Sequence, residues 1–116
     1  MKSLLIIAHG SRAEGPKIEI AELVDLVSAH NYDRKGFAFL ELATPSIQEK
    51  IAEEASKGTK SITIVPYFLN NGKHVSRDLP KIISDMREKY PDMEFTTTSY
   101  FGENKALLSS LITKLI

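Results

Sequence analysis

The sequence predicts a three-layer α/β fold in which a four-stranded parallel sheet lies between helices on both of its faces. Short apolar runs alternate along the chain with segments whose apolar residues recur at helical spacing, and no repeat or linker interrupts this alternation. The chain has 116 residues, enough for one hydrophobic core, so we expect a single domain over residues 1–116. For so short an alternating chain we expect the strand order 2-1-3-4.

The first half of the chain predicts two strands, each followed by a helix. Residues 3–8 and residues 37–42 are the apolar runs of the two strands. Thr44 is a suitable N-cap for the second helix, Pro45 suits its first turn, and Gly58 is a suitable end signal. The apolar stripe of the first helix is formed by Ile20, Leu23, Val24 and Val27.

The second half repeats this pattern with a third and a fourth strand. Residues 61–65 are rich in β-branched side chains and predict the third strand. Residues 94–99 are more polar, which favours an edge position for the fourth strand. The stripe of the third helix, which Pro91 ends, is formed by Leu79, Ile82, Ile83, Met86 and Tyr90. The stripe of the last helix is formed by Leu108, Leu111, Ile112 and Leu115.

The composition excludes several classes of partner and site. Fifteen Lys and Arg balance fifteen Asp and Glu, so no net charge attracts the chain to nucleic acid or to an anionic membrane. Cysteine is absent, which leaves His, Asp and Glu as the plausible metal ligands. The longest apolar run, LLIIA at residues 4–8, is far shorter than a spanning helix, and no signal-peptide cleavage site follows it. We therefore expect a cytoplasmic protein with neither a nucleic-acid nor a membrane partner.

Two histidines follow predicted strands that we expect to be neighbours. His9 follows the first strand, and His74 ends the loop after the third. In the order 2-1-3-4 the chain leaves these two strands in opposite directions, which opens a crevice at their carboxyl ends where ligands bind. Glu41, near the end of the second strand, brings a carboxylate to the same edge. This convergence predicts a site that handles a metal ion or a proton, with His9, His74 and Glu41 as its reactive groups.

Two other residues have structural interpretations. His30 falls at the predicted end of the first helix, where a cation near the last carbonyls is stabilising, so we assign it no role in the site. Ser11 lies in no G-x-S-x-G motif, and we expect it to cap the first helix rather than to act as a nucleophile.

The loop at residues 67–74 carries Tyr, Phe and Leu in succession, which is unusual for exposed chain. Such residues cover either the protein's own core or a flat apolar ligand. Asn71 and Gly72 predict a tight turn with positive φ. The basic residues near this loop and the first one are Arg12, Lys17, Lys73 and Arg77. Because basic side chains bind carboxylate or phosphate groups, these features predict a ligand with an apolar face and an anionic rim.

Three motifs, in order along the chain, resemble those of the small sirohydrochlorin chelatases, which insert a divalent metal into a tetrapyrrole. They are AHGSR at residues 8–12, FLELATPSI at residues 39–47 and VPYFLNNGKHVSRDLP at residues 65–80. The resemblance spans nearly the whole chain and implies a chelatase-like domain, similar to half of a flavodoxin-like fold, that pairs as a homodimer around the tetrapyrrole. It also implies a lyase of tetrapyrrole biosynthesis that acts on sirohydrochlorin and holds no tightly bound cofactor.

The resemblance also implies roles for individual residues. His9 matches a proton acceptor and metal ligand, and His74 matches a second metal ligand. Glu41 matches their acidic partner, whose role as ligand, base or support stays open. Thr44 matches a substrate-contacting position, and we expect Arg12, with the other basic residues of the rim, to bind carboxylates of the macrocycle. The remaining substrate-contacting positions are Leu69, Asn70, Asn71, Gly72, Lys73 and His74.

Several alternatives stay open. The ligand set suits Co²⁺, which we expect first, and also Ni²⁺ or Fe²⁺, so the chain could serve the cobalamin, sirohaem or nickel tetrapyrrole pathways. A phosphohistidine-type phosphatase is suggested by His9 and Gly10 after the first strand, although Ala8 stands where that chemistry places an Arg. A non-catalytic flavodoxin-like binding module is the other alternative, although the first loop contains no G-x-G-x-x-G motif.

Overall fold

A computed structural model describes the backbone of residues 1–116 and all side chains except that of His74. The four strands are β1 (Lys2–Ala8), β2 (Arg34–Phe39), β3 (Ser61–Pro66) and β4 (Glu94–Thr97). They pair in parallel in the order β2-β1-β3-β4, which confirms the predicted fold class and strand order.

Four helices follow the strands. They are α1 (Glu14–Leu26), α2 (Ile47–Ser56), α3 (Leu79–Lys89) and α4 (Lys105–Leu115). A π-helical turn, His74–Asp78, leads directly into α3, and a 3₁₀ turn, Phe101–Glu103, precedes α4. None of the helices described is both long enough and apolar enough to cross a membrane.

The side chains of β1 enter two separate cores, because successive residues of a strand point to opposite faces of the sheet. Ile6 packs against α1, whereas Leu5 and Ile7 pack against α2 and α3. The smaller core is formed by Ile6, Ile20, Val24 and Phe39. The larger core is formed by Leu5, Ile7, Ala38, Ile47, Ile51, Ile62, Ile64, Leu79, Ile83, Met86 and Phe95. Helices therefore cover both faces of the sheet, as the three-layer prediction requires.

The pairing of the strands places the loops that follow β1, β2 and β3 at one edge of the sheet. Two backbone hydrogen bonds extend the ladder beyond the strand ends. The Leu40 N–H donates to the Ala8 carbonyl at 2.9 Å, and the Tyr67 N–H donates to the Ile7 carbonyl at 2.8 Å. The residues that leave these three strands consequently start side by side at the carboxyl edge, where ligands bind in open α/β sheets.

Strand β2 does not match its predicted bounds. It runs from Arg34 to Phe39, whereas the apolar run predicted residues 37–42. Its polar start is stabilised by an ion pair, since Arg34 Nη2 lies 2.9 Å from Oε2 of the buried residue Glu54. Glu41 consequently lies in the loop after β2 and not within the strand.

The N-cap of α2 is Ser46 and not Thr44. The Glu49 N–H donates to Ser46 Oγ at 3.1 Å, and the Ser46 N–H donates to the Glu49 carboxylate at 2.9 Å, which together form a capping box. Pro45 therefore precedes the helix instead of occupying its first turn. The predicted end signal is confirmed, because Gly58 follows the helix with a φ of 86°.

Helix α1 ends earlier than its apolar pattern predicted. It stops at Leu26, and Val27 has an extended conformation. His30 consequently lies in the following loop and not at the carbonyl end of the helix. Ser11 Oγ accepts a hydrogen bond from the Ala13 N–H at 3.1 Å, but Ala13 itself occupies the N-cap position. Ser11 therefore stabilises the turn before α1 rather than the helix start.

Helix α4 exposes its apolar side chains. All of its residues are described, and none of them is buried. Its exposed large apolar residues are Leu107, Leu111, Ile112 and Leu115. The predicted helix is present, but its apolar stripe is exposed apart from Leu108, which is half-buried.

A buried carboxylate links several elements by hydrogen bonds at the amino edge of the sheet, opposite the carboxyl edge. Glu54 is 2% exposed and accepts hydrogen bonds from Arg34, Thr59 and Ser3, which lie on β2, after α2 and on β1. The Arg34 Nε and Thr59 Oγ1 atoms lie 3.0 and 3.1 Å from its carboxylate oxygens. Burial opposes the ionisation of Glu54, but these hydrogen bonds outweigh it and hold the pKa of the carboxyl group below its ordinary value.

Candidate functional site

His9 and Gly10 form the turn that follows β1. Gly10 has a φ of 108°, a backbone angle that residues other than glycine rarely adopt. It also lies directly against the loop after β2, since a Cβ atom at this position would come within 1.7 Å of the Glu41 carbonyl oxygen. Glycine at position 10 therefore allows these two loops to approach each other.

The imidazole of His9 contacts the carboxylate of Glu41. The His9 Nε2 atom lies 2.9 Å from Glu41 Oε1. The Glu41 N–H also donates to the His9 carbonyl at 3.0 Å, so the two backbones are held together as well as the two side chains. His9 Nδ1 lies 3.2 Å from the Gly10 carbonyl oxygen. The structure thus brings together two of the three residues that the sequence placed at this edge.

Solvent reaches both members of this pair, because the side chains of His9 and Glu41 are 44% and 47% exposed. An imidazole beside a carboxylate can accept a proton and pass it on. Either group can also bind a divalent metal ion. The pair therefore combines a proton acceptor and metal-ligating atoms at a surface that a large ligand can reach.

His74 begins the helical turn that precedes α3, but its side chain lies outside the part of the molecule that the structure describes. Its predicted convergence with His9 stays a prediction. Among the side chains described, no three His, Asp or Glu groups lie close enough together to hold a metal ion.

Tyr67, the first of the three successive apolar residues that the sequence places in the loop at residues 67–74, also lies at this site, although it was not among the predicted contact residues. It follows β3 directly, is 41% exposed and lines a groove together with His9. This groove runs between the end of β1 and helix α1, and Ser11, Ile20 and Phe39 also line it. The signal that could have identified Tyr67 as a contact residue is its place directly after a buried strand, where the next side chain reaches the carboxyl edge.

The loop at residues 69–73 is called the substrate loop below because the sequence predicts substrate-contacting residues in it, and it is exposed at the same edge. Leu69 is 64% exposed, whereas Phe68 before it packs against the larger core. The other exposed residues of the loop are Asn70, Asn71, Gly72 and Lys73. Of the three apolar residues in succession, Phe68 covers the protein's own core, and Leu69 is available to a ligand.

The predicted tight turn at Asn71 and Gly72 is wrong, because Gly72 does not have a positive φ. The carbonyl of Gly72 instead accepts hydrogen bonds from the N–H groups of Val75 and Ser76 at 3.1 and 3.0 Å. The Ser76 hydroxyl donates to the same carbonyl at 3.0 Å. Gly72 therefore starts the helical turn that follows and fixes the far end of the substrate loop.

The remaining predicted contact residues are exposed and lie on the chain that follows β1, β2 and β3. Thr44 is exposed in the same loop as Glu41. Arg12 and Lys73 are also exposed, and they stand after β1 and at the end of the substrate loop. Arg77 Nε lies 3.2 Å from Asp78 Oδ1, so this carboxylate partly neutralises its charge. Arg12 and Lys73 are thus the better placed cations for an anionic ligand.

Comparisons with known proteins show what the whole chain is similar to. A family model described as CbiX matches residues 3–116. The sirohydrochlorin cobaltochelatase of Methanococcus maripaludis is 33% identical over 84 residues, which cover 72% of this chain and 58% of that protein. The sirohydrochlorin ferrochelatase of Priestia megaterium is 28% identical over 116 residues, which cover 99% of this chain and 44% of that protein. The chain thus spans little more than half the length of the first curated relatives that it matches.

Solved structures show the same fold. A CbiX protein from Marinobacter aquaeolei superposes with a TM-score of 0.82 at 23% identity, over 99% of this chain and 94% of that one. SirB from Bacillus subtilis, solved with Fe³⁺, gives a TM-score of 0.82 at 24% identity, over 97% of this chain and 45% of that one. At this level of identity the likeness concerns the fold.

Proposed function

This chain belongs to the CbiX family, and we propose that it acts as a lyase that inserts a divalent metal ion into sirohydrochlorin in tetrapyrrole biosynthesis. The observation that carries this proposal is the contact of 2.9 Å between His9 and Glu41 at the carboxyl edge of the sheet, beside the exposed substrate loop. Relatives named sirohydrochlorin cobaltochelatase and sirohydrochlorin ferrochelatase support the same substrate.

Insertion exchanges two pyrrolic N–H protons for one divalent ion, so a base must take up protons as the ring nitrogens bind the metal. We assign this role to the pair of His9 and Glu41. His9 accepts a proton once the ring nitrogens replace it on the metal ion, and Glu41, 2.9 Å from its Nε2 atom, passes that proton to solvent, so that the second proton can follow by the same route. His9 and His74 are the proposed ligands that present the metal ion, which is a substrate and leaves with the product. Two protein ligands leave coordination positions open for the incoming nitrogens.

The exposed groups around this pair match the chemistry of sirohydrochlorin, a flat macrocycle with eight carboxylates. Tyr67 and Leu69 offer apolar surface to the face of the ring. Arg12 and Lys73 are exposed cations that can bind carboxylates at its rim. Thr44 and the amide groups of the substrate loop are the proposed polar contacts.

Co²⁺ is the metal that we propose first, because the relative from Methanococcus maripaludis and the one from Methanosarcina acetivorans are both named cobaltochelatases. Fe²⁺ is the alternative that the ferrochelatase relatives support. Imidazole and carboxylate ligands also accept Ni²⁺, so all three ions belong in the assay.

We further propose that two copies of the chain pair to complete the tetrapyrrole cleft. The chain covers 44% of the Priestia ferrochelatase and 45% of SirB, so these relatives have room for a second unit of similar size. The exposed apolar face of α4 offers surface for such pairing. Leu111→Lys should shift the mass measured by light scattering from dimer to monomer, whereas Leu26→Lys on α1, where the leucine is 81% exposed, should not. A monomeric wild type would refute the pairing.

The central experiment records anaerobic absorbance spectra of sirohydrochlorin with Co²⁺, Ni²⁺ or Fe²⁺, with and without the protein. We expect wild type to accelerate conversion to the metallated spectrum, and His9→Ala and His74→Ala to lose most of this acceleration. Replacing a proton acceptor typically costs about 10²- to 10⁴-fold in rate. His30→Ala is the matched control, because His30 is exposed in a loop outside the site and its loss should leave the rate unchanged.

Two results would contradict the proposal. If no metal is inserted faster with the protein than without it, the chain is not a chelatase, and assays with phosphohistidine and phosphomonoester substrates would test the phosphatase alternative. If wild type inserts the metal and both His9→Ala and His30→Ala keep its rate, the chain is a chelatase, but His9 is not its proton acceptor or an essential ligand.

A further inference from the structure

The chain segment after β4 returns to the site and packs on residues 67–69, where β3 leads into the substrate loop. The Gly102 N–H donates to the Phe68 carbonyl at 2.8 Å. The rings of Phe101 and Tyr67 meet edge to face, with their centroids 5.2 Å apart. Gly102 is buried, although Glu103 next to it is exposed. A segment that belongs to no strand of the sheet thus contacts residues 67 and 68 by both backbone and side chain.

Gly102 is needed here for space and not for an unusual backbone angle. A Cβ atom at this position would lie 1.9 Å from the Leu69 carbonyl oxygen and 2.7 Å from the Leu69 Cα atom. Backbone atoms cannot yield as the end of a flexible side chain does, so any larger residue must push Leu69 away. The first residue of the substrate loop is therefore held by a glycine that lies far from it in sequence.

We propose that Phe101 and Gly102 form a clasp that positions the substrate loop for the macrocycle, an inference that rests on the proposed function. The clasp holds the loop at Phe68 and Leu69, and the Gly72 carbonyl holds its other end by accepting from Val75 and Ser76. Between these two points the loop is exposed and offers its side chains to the ligand.

The physical reason for such a clasp is the entropy of an exposed loop. A loop that must order itself when the ligand arrives loses conformational freedom, and this loss weakens binding. A loop that is already held in place loses less conformational freedom when the ligand binds. Because the contacts of the clasp are with Tyr67, Phe68 and Leu69, its loss should weaken binding of sirohydrochlorin and leave binding of the metal ion alone unchanged. Phe101 and Gly102 are thus positioning residues.

The test compares Gly102→Ala with Gly15→Ala. Gly15 is the matched control, because no described atom lies within 4 Å of the position its Cβ would take. In the anaerobic assay with Co²⁺, we expect Gly102→Ala to raise KM for sirohydrochlorin about tenfold or more, with kcat and the affinity for Co²⁺ alone near wild type. Gly15→Ala should match wild type in all three quantities. An unchanged KM in Gly102→Ala overturns the proposal.

Two further measurements keep the test decisive. Phe101→Ala should raise KM in the same way, whereas Phe101→Tyr, which keeps the aromatic ring, should have the wild-type KM. The clasp can therefore be tested even if Gly102→Ala fails to fold. Hydrogen exchange of the peptide covering residues 67–73 should be faster in Gly102→Ala than in Gly15→Ala. Equal exchange rates refute the clasp without reference to activity, whereas a wild type that inserts no metal refutes the proposed function instead.

Discussion

Replacing Gly10 by alanine should damage both the stability of the protein and its site, and Gly58→Ala provides a matched control. Both glycines have positive φ, at 108° and 86°. The surroundings differ, because a Cβ at Gly10 would lie 1.7 Å from the Glu41 carbonyl oxygen, whereas no described atom lies within 4 Å of a Cβ at Gly58. The two variants therefore share the conformational penalty, and only Gly10→Ala adds a collision.

The magnitude follows from these contacts. A non-glycine residue in this backbone region costs about 1–2 kcal/mol, which is the full effect expected for Gly58→Ala. In Gly10→Ala the carbonyl of Glu41 must move until its oxygen lies 3.4 Å from the new Cβ atom. This is twice the 1.7 Å that the unshifted backbone would leave between the two atoms. Such a shift breaks the Glu41-to-His9 backbone hydrogen bond of 3.0 Å and strains that from Leu40 to Ala8. With about 1 kcal/mol for each bond, Gly10→Ala should lose about 2 kcal/mol more than Gly58→Ala.

Urea unfolding followed by circular dichroism measures this difference in free energy, thermal unfolding measures the matching shift in melting temperature, and the metallation assay measures its consequence for the site. For a chain of this length we expect the melting temperature of Gly10→Ala to lie roughly 8 °C below that of Gly58→Ala. The displaced Glu41 should also reduce the rate of metal insertion by about 10²-fold in Gly10→Ala. Gly58 lies at the opposite end of the sheet from the site, so Gly58→Ala should keep the wild-type rate. Equal destabilisation by both substitutions would show that the collision with Glu41 is not real.

Three further predictions concern the buried carboxylate, the helix cap and the basic rim. The lowered pKa of Glu54 means that it stabilises the fold above the unfolded pKa, and this contribution is lost as pH falls through the folded pKa. Glu54→Gln should therefore cost about 1–3 kcal/mol at neutral pH and flatten the loss of stability below about pH 4.3, as measured by urea unfolding across pH. Ser46→Ala should cost about 1 kcal/mol and Thr44→Ala much less, because only Ser46 caps α2. Arg12→Ala and Lys73→Ala should each raise KM for sirohydrochlorin about two- to fivefold and weaken its dependence on salt, with kcat unchanged.

The sheet could be predicted from the sequence because each of its strands and flanking helices is signalled by residues close together in the chain. Each strand is a short apolar run and each helix an apolar stripe, and the rules for parallel connections then leave few topologies. The helix cap could also have been predicted correctly, since Glu49 stands three residues after Ser46, whereas Ile47 stands three residues after Thr44. In that case the signal was present and outweighed by the proline beside Thr44.

The features that the sequence did not predict depend on contacts between distant residues. The polar start of β2 is stabilised because Arg34 meets Glu54, twenty residues later, and nothing near Arg34 signals this. The exposure of α4 is a similar case, because an apolar stripe predicts that a helix face is covered but not which surface covers it. The distance between His9 and Glu41 depends on how closely two loops approach, which no spacing along the chain encodes.

Two glycines set the shape of the carboxyl edge by the same physical means. Gly10 lets the loop after β2 approach the end of β1, and Gly102 lets the segment after β4 approach the loop after β3. In each case a backbone carbonyl, of Glu41 or of Leu69, occupies the space where a side chain would begin. The reactive pair and the substrate loop are therefore positioned by backbone contacts that side-chain chemistry does not reveal. Substitutions at these glycines should for this reason impair the site more than most substitutions of the exposed side chains that line it.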